Sequence, residues 1–255
     1  MTKQYNSKNY TIEGNPFAYY KRHWHDYYKN KFYQSKLISS YVSKIQNKEL
    51  VKNLGIRIPE TYYCGRFEDC PGYIKKKKNI IIKKQCGAGG SYKADIKKDL
   101  RGFNVIVEEC IRHFIKPEKF IIPFDYKIYM FKGRAVYVLV YNRNYQSNPR
   151  KPSFMLLDRM GNEVNNRLGL PTHRLMKDKK KVIPSKEMWN KLIQDAEHIG
   201  NTVFGEVFVR LDFYMDKVGP VFGELSPNPC GTFVVKFHEK DEVLNHETRK
   251  LLAII

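Results

Sequence analysis

The segment Val207-Phe-Val-Arg210-Leu-Asp212-Phe-Tyr-Met215, with its return Val221-Phe-Gly-Glu224-Leu-Ser226-Pro-Asn228, constrains the fold more than any other part of the chain. Its period of two is that of paired strands. Val209, Leu211 and Phe213 fall on one face, Arg210 and Asp212 on the other, and Glu224 shares a face with Ser226. A hairpin symmetric about Val218 sets Asp212 opposite Glu224. Opposed β-carbons lie about 5 Å apart, and like charges there are destabilising. The pair is therefore either hydrated on an exposed ribbon or compensated by a cation. Arg210 supplies part of that compensation. Mg²⁺ would supply more, because it takes oxygen ligands and leaves positions for phosphate oxygens.

The rest of the chain reads as a mixture of strands and helices. Residues 35–54 place Leu37, Ile38, Tyr41, Val42, Ile45, Leu50, Val51 and Leu54 at helical spacing, stopped by Gly55 and Pro59. Cys70-Pro71-Gly72 marks a turn. Short strands are expected over Ile80–Lys84, Val105–Glu108, Tyr126–Phe131 and Ala135–Tyr141, the last two joined through Lys132-Gly133. Asn142 to Pro184 reads as loop. Ser185 is an N-cap for a helix carrying Met188, Trp189, Leu192, Ile193 and Ile199, and a C-terminal helix is expected from about Glu239 to Leu252. Regular β-α-β alternation is absent from the pattern, so the fold class is α+β.

Ile80-Ile-Ile-Lys83-Lys84-Gln85-Cys86-Gly87-Ala88-Gly89-Gly90 runs a strand into a glycine-rich turn. Glycines let backbone amides approach phosphate oxygens, and a strand-borne lysine neutralises them. The segment is neither a Walker loop nor a GxGxxG fingerprint. Val105-Ile-Val-Glu108-Glu109-Cys110-Ile111 reads as a hinge whose backbone suits a purine and whose acids suit ribose hydroxyls. Asp125 and Lys127 share a strand face, giving a second phosphate-directed lysine.

Charge fits an acidic partner: residues 1–101 carry 22 Lys or Arg against 8 Asp or Glu, within a total net charge of +20. A lysine-rich solvated surface is the competing reading, since Lys outnumbers Arg 33 to 13. Five widely spaced cysteines lack zinc-ligand spacing, and reduced thiols are expected. No run approaches the roughly 18 apolar residues of a membrane span, and the first ten residues lack the apolar core of a secretory signal. A soluble, cytoplasmic protein without membrane insertion is expected.

Taken in order, these pieces resemble the ATP-grasp superfamily, and within it the TupA-like branch associated with teichuronic acid and polysaccharide biosynthesis. The resemblance rests on Lys-x-x-x-Gly-x-Gly from Lys83 to Gly89, Ile-Val-Glu-Glu at Ile106–Glu109, Asp125-Tyr126-Lys127 through Phe131 and Gly133, and the hairpin Val209-Arg210-Leu211-Asp212-Phe213-Tyr214 with Gly223-Glu224-Leu225. It implies two α+β subdomains gripping ATP, over residues 76–116 and 117–255, after a helical, aromatic and basic region at 1–75. It assigns Lys83 and Lys127 to the ATP phosphates and Gly87, Ala88, Gly89 and Gly90 to a mobile flap. Glu108, Glu109, Cys110 and Ile111 would line the adenine and ribose pocket. Arg210 would face the transferred phosphoryl group or the acyl phosphate, making Arg210 and Lys127 the catalytic candidates. Asp212 and Glu224 would bind Mg²⁺, with Ser226 or Asn228 in the place where many relatives have Asn. Cys86 stands where the branch often has His.

The activity so implied is an ADP-forming Mg-ATP-dependent ligase, of carboxylate–amine type through an acyl phosphate, acting on an unidentified, anionic acceptor. A kinase that phosphorylates a hydroxyl would use the same nucleotide site. A basic nucleic-acid-binding protein is the non-enzymatic alternative, resting on the Tyr- and Lys-rich N-terminal third.

Overall fold

A computed structural model describes residues 44–85, 100–114, 123–131, 133–142, 153–164, 176, 182–183, 185–204 and 209–226. The expected C-terminal helix, the flap residues Gly87–Gly90, Cys86 and Asn228 lie outside the described residues, as does the aromatic segment 1–34.

The strands form two antiparallel sheets. The smaller has the order β1–β3–β2, from β1 (Thr61–Arg66), β2 (Ile80–Lys84) and β3 (Asn104–Glu109). One face carries Ile80, Ile82, Val105 and Val107, buried against Phe67, Cys70, Ile74 and Leu100. Alternation then commits Lys83, Ile106 and Glu108 to the opposite face. The turn expected at Cys70–Gly72 opens a single helical turn, Gly72–Lys75, because Pro71 O accepts the amides of Ile74 and Lys75.

The larger sheet has the order β6–β5–β4–β7–β8, from β4 (Asp125–Phe131), β5 (Arg134–Asn142), β6 (Ser153–Asp158), β7 (Val209–Met215) and β8 (Pro220–Ser226). A helix over Lys186–Ile199 covers one face. Its stripe of Trp189, Leu192, Ile193, Ala196 and Ile199 packs on Ile128, Met130, Val138, Leu211 and Phe213. Ser185 caps that helix as expected, its Oγ accepting Met188 N–H at 3.2 Å. Gly133, at φ +71, turns β4 into β5 and lies so close to the Asn201 side chain that a β-carbon would collide with it.

Helix α1 (Lys44–Asn53) reaches both sheets. Val51 joins the core of the large sheet, while Lys44 Nζ donates to the carbonyl of Lys84 on β2 at 3.2 Å. Its buried residues are Asn47, Lys48 and Val51, so the expected apolar stripe is interrupted by two polar groups. Beyond the helix, Arg57 O accepts Phe222 N–H at 2.8 Å, which ties the connecting segment to β8.

Two strands escape sequence periodicity. β6 falls in the stretch expected to be loop, because Phe154, Met155, Leu156 and Leu157 are all buried and leave no alternation to detect. β1, Thr-Tyr-Tyr-Cys-Gly-Arg, is half-exposed and pairs with β3, so the small sheet begins before residue 76.

Candidate active site

On the small sheet Lys83 pairs in register with Ile106, and Glu108 with Ile81, which makes Lys83 and Glu108 diagonal neighbours on one face. The Lys83 ammonium binds Glu108 Oε1, and Lys48, arriving from α1, donates to Glu108 Oε2. All three are buried: Glu108 is 0% exposed, Lys48 3% and Lys83 4%. One carboxylate thus serves two ammonium groups. Burial draws Lys83 down to about 8, an effect Glu224 opposes and Lys44 reinforces. Burial, with Lys83 alongside, also holds Lys48 well below the ordinary lysine range.

The large sheet assembles a second cluster. Lys127 of β4, Asp212 of β7 and Glu224 of β8 are consecutive cross-strand partners in one row. Lys127 Nζ donates to Asp212 Oδ2 at 2.7 Å and lies 3.8 Å from Asp125. Arg210 donates to both Asp212 oxygens, Nε to Oδ1 at 2.6 Å and Nη2 to Oδ2 at 2.9 Å, and also to Ser226 Oγ at 2.8 Å. Burial alone would raise the Asp212 carboxyl, but Lys127 and Arg210 overcome it and keep Asp212 below its usual range. Glu224 is more open, with Lys44 Nζ 3.6 Å from its carboxylate and its side chain 34% exposed.

The hairpin register has an unexpected feature. Asp212 does pair with Glu224, but Phe213 pairs with Phe222, so Gly223 is the extra residue of a bulge on β8. The loop is closed by Asp216, whose Oδ1 accepts the amides of Val218 at 2.8 Å and Gly219 at 3.0 Å. Glycine is required at 223, since a β-carbon would come within 2.8 Å of the Tyr214 ring and 3.0 Å of Asp212 O. Tyr214, lying across that bulge, reaches the other cluster: Lys83 Nζ donates to its hydroxyl at 3.5 Å and sits 5.3 Å from its ring centroid.

Lys83 and the hairpin are therefore neighbours, although 131 residues separate Lys83 from Tyr214. Glu108 is placed differently from the ribose contact expected of it, because its carboxylate is enclosed between two lysines. Glu109 is the exposed acid of the pair. The amides of Glu109 and Cys110 already donate to Glu60 O and Asn79 O, each at 2.8 Å. Arg210 and Ser226 bond to each other. Sequence reasoning missed Lys44 and Lys48; the available signal was a pair of lysines four residues apart, one helical turn, in a helix that must face a core.

Among the described residues no group of three or more His, Cys, Asp or Glu is arranged to hold a metal ion. The opposed Asp212 and Glu224 nonetheless fit Mg²⁺, since two carboxylates are the donor set of an ion that takes its remaining ligands from water and phosphate oxygens. No helix among the described residues is long and apolar enough to cross a membrane.

Comparison with known proteins bears on this arrangement. The D-alanine–D-alanine ligase from Bacillus anthracis has a similar fold, with a TM-score of 0.50, and 0.51 for its complex with ATP. Both are 14% identical over 84% of this chain, and 65% and 64% of their own lengths are covered. The ATP-grasp ligase PsnB, complexed with a phosphomimetic variant of its minimal precursor, Mg and ADP, aligns with a TM-score of 0.49 and 13% identity over 84% of this chain and 59% of that one. The chain thus spans less than two thirds of the length of these structures. Among curated proteins none matches it. At such identity the likeness to the D-alanine–D-alanine ligase shows a shared fold alone. The sequence itself matches the TupA-like ATPgrasp family over residues 93–248, more than half the chain and a span running from before β3 past the carboxylate hairpin, so this chain belongs to the TupA-like ATP-grasp family.

Proposed function

We propose that the protein is an ADP-forming ligase that uses Mg-ATP to activate a carboxylate as an acyl phosphate and joins it to an amine. The observation that carries this reading is the adjacency of the Lys83 cluster to the Asp212–Glu224 hairpin, bridged by Tyr214 and Lys44. Lysines at 83 and 127, with Lys44 beside Glu224, would face the phosphates of ATP. Ile111 and the backbone of the hinge at Glu109 and Cys110 would line the adenine, and Gly87–Gly90 would close over the phosphates. Asp212 and Glu224 would hold Mg²⁺, with Ser226 or Asn228 completing the set; the ion would neutralise charge building on the β- and γ-phosphate oxygens.

In the first step a substrate carboxylate oxygen attacks the γ-phosphorus, and the bond to the β-phosphate oxygen breaks to release ADP. In the second, the amine attacks the acyl carbon, phosphate leaves and the amine loses a proton. Neither step needs a protein nucleophile. Positioning and charge stabilisation carry such chemistry, and they are what buried, pre-oriented lysines and Arg210 supply. Arg210 acts through its bidentate grip on Asp212, which fixes one metal-directed carboxylate before ligands arrive. An anionic acceptor is consistent with the net charge of +20, and a role in polysaccharide or peptide synthesis is consistent with the family.

The test is incubation with Mg-ATP and candidate carboxylate and amine substrates, with ADP and AMP resolved and the product weighed by mass spectrometry. ADP release with a condensed product is expected. A phosphorylated hydroxyl product would replace the ligase with a kinase, and AMP release would overturn the acyl-phosphate route.

A further inference from the structure

Glu108 pairs with one lysine on each of its oxygens, and Glu224 of the hairpin acts on both lysines. Lys83 reaches Tyr214, whereas Lys48 comes from α1 and ends on Glu108 Oε2. One turn earlier on that helix, Lys44 turns to Glu224. Alone with Glu108, Lys83 would form a closed ion pair, and an approaching phosphate would have to compete with a buried carboxylate for it. With Lys48 on the other oxygen, the carboxylate is shared between two lysines.

We propose that Lys48 is a positioning residue for ATP binding: by occupying one oxygen of Glu108 it leaves Lys83 free to bind the nucleotide phosphates without touching them itself. This rests on the ATP-binding reading above. The groups facing Lys83 are Lys44 and Lys48 of α1, Glu108 of β3, Cys110 beyond it, Asp125 of β4, Tyr214 of β7 and Glu224 of β8. Of these, Lys48 alone shares the carboxylate that holds Lys83.

The experiment is a double-mutant cycle on the full chain, reading ATP affinity by calorimetry in the presence of Mg²⁺, and the KM for ATP and kcat by ADP release. Lys48→Met, which leaves a matched Lys83–Glu108 pair, is expected to weaken ATP binding on the order of tenfold, the size seen when a supporting group behind a ligand is lost. The loss should appear in KM more than in kcat, and Lys48→Arg should restore affinity. In the Glu108→Gln background the same Lys48→Met change should have little further effect, because the carboxylate through which Lys48 acts is gone. An equal loss in both backgrounds would make Lys48 a direct phosphate ligand and overturn the proposal, as would unchanged affinity in Lys48→Met. Should Lys48→Met fail to fold by thermal melt, Lys48→Met/Glu108→Gln against Glu108→Gln carries the test: equal affinities support the proposal, and a weaker double variant overturns it. Failure of the wild-type chain to bind ATP would instead remove the nucleotide reading itself.

Discussion

Each sheet holds a buried carboxylate between two cations, and the two arrangements differ in whether both cations can shed a proton. On the small sheet Glu108 stands against Lys48 and Lys83, one negative charge for two positive. On the large sheet Asp212 stands against Lys127 and Arg210, with Asp125 3.8 Å from Lys127, so the charges balance. The protonation energetics follow: burial depresses both lysines of the first cluster, while Asp212 stays ionised below its usual range. Two lysines hold the first carboxylate, and a lysine and an arginine hold the second.

The sharpest way to break this comparison is to remove the carboxylates in turn. Asp212→Ala removes the carboxylate that both Arg210 and Lys127 bind, and arginine cannot shed its proton. A loss of about 3–5 kcal/mol in chemical denaturation is expected, along with loss of ATP turnover. Glu108→Ala should cost less, because its two lysines can deprotonate, and its deficit should shrink as pH rises. Equal costs at all pH values would erase the distinction between the clusters.

Glu224→Ala separates chemistry from folding. Glu224 is the more open acid of the hairpin, with its side chain 34% exposed, and it packs no core. Its loss should abolish ADP release while leaving the thermal midpoint close to wild type. Undiminished turnover would withdraw the metal assignment.

A smaller effect concerns pH. Lys83 titrates at about 8 in the folded protein, and phosphate favours its charged form. ATP affinity should therefore be flat below pH 8 and fall above it, by up to about tenfold per unit, as binding comes to require proton uptake. Lys83→Arg, always charged, should flatten that decline. Stability moves the other way: between about 8 and the ordinary 10.5, the unfolded chain holds a proton the folded one has lost, so the contribution of Lys83 to stability rises with pH. Titrating affinity and denaturation midpoint in parallel checks both signs.

The smallest expected change is Tyr214→Phe, which removes the hydroxyl that accepts from Lys83 at 3.5 Å but keeps the ring over the bulge. A rise of about threefold in the KM for ATP with unchanged kcat is expected, as for one long hydrogen bond. A larger effect would make Tyr214 part of the phosphate site.

Much of this was legible before any coordinates. The alternation through Val209, Leu211 and Phe213 set the hairpin faces. The pairing of Asp212 with Glu224 followed from the turn, although the register holds there only because Gly223 is bulged out. Ile80–Lys84 and the cap at Ser185 were equally plain. Hidden were β6, buried on both faces and so without period, and the lysines of α1, which read as a solvated helix face until the helix is seen to touch both sheets.

Local pattern, then, decided which residues become strands and which side of each strand a given side chain occupies, because a period of two is written in adjacent residues. Which charges share a carboxylate was decided by the tertiary structure alone. Lys48 meets Glu108 across 60 residues and Lys83 meets Tyr214 across 131. Such contacts exist only when packing brings the elements together and excludes the water that would otherwise keep each charge apart.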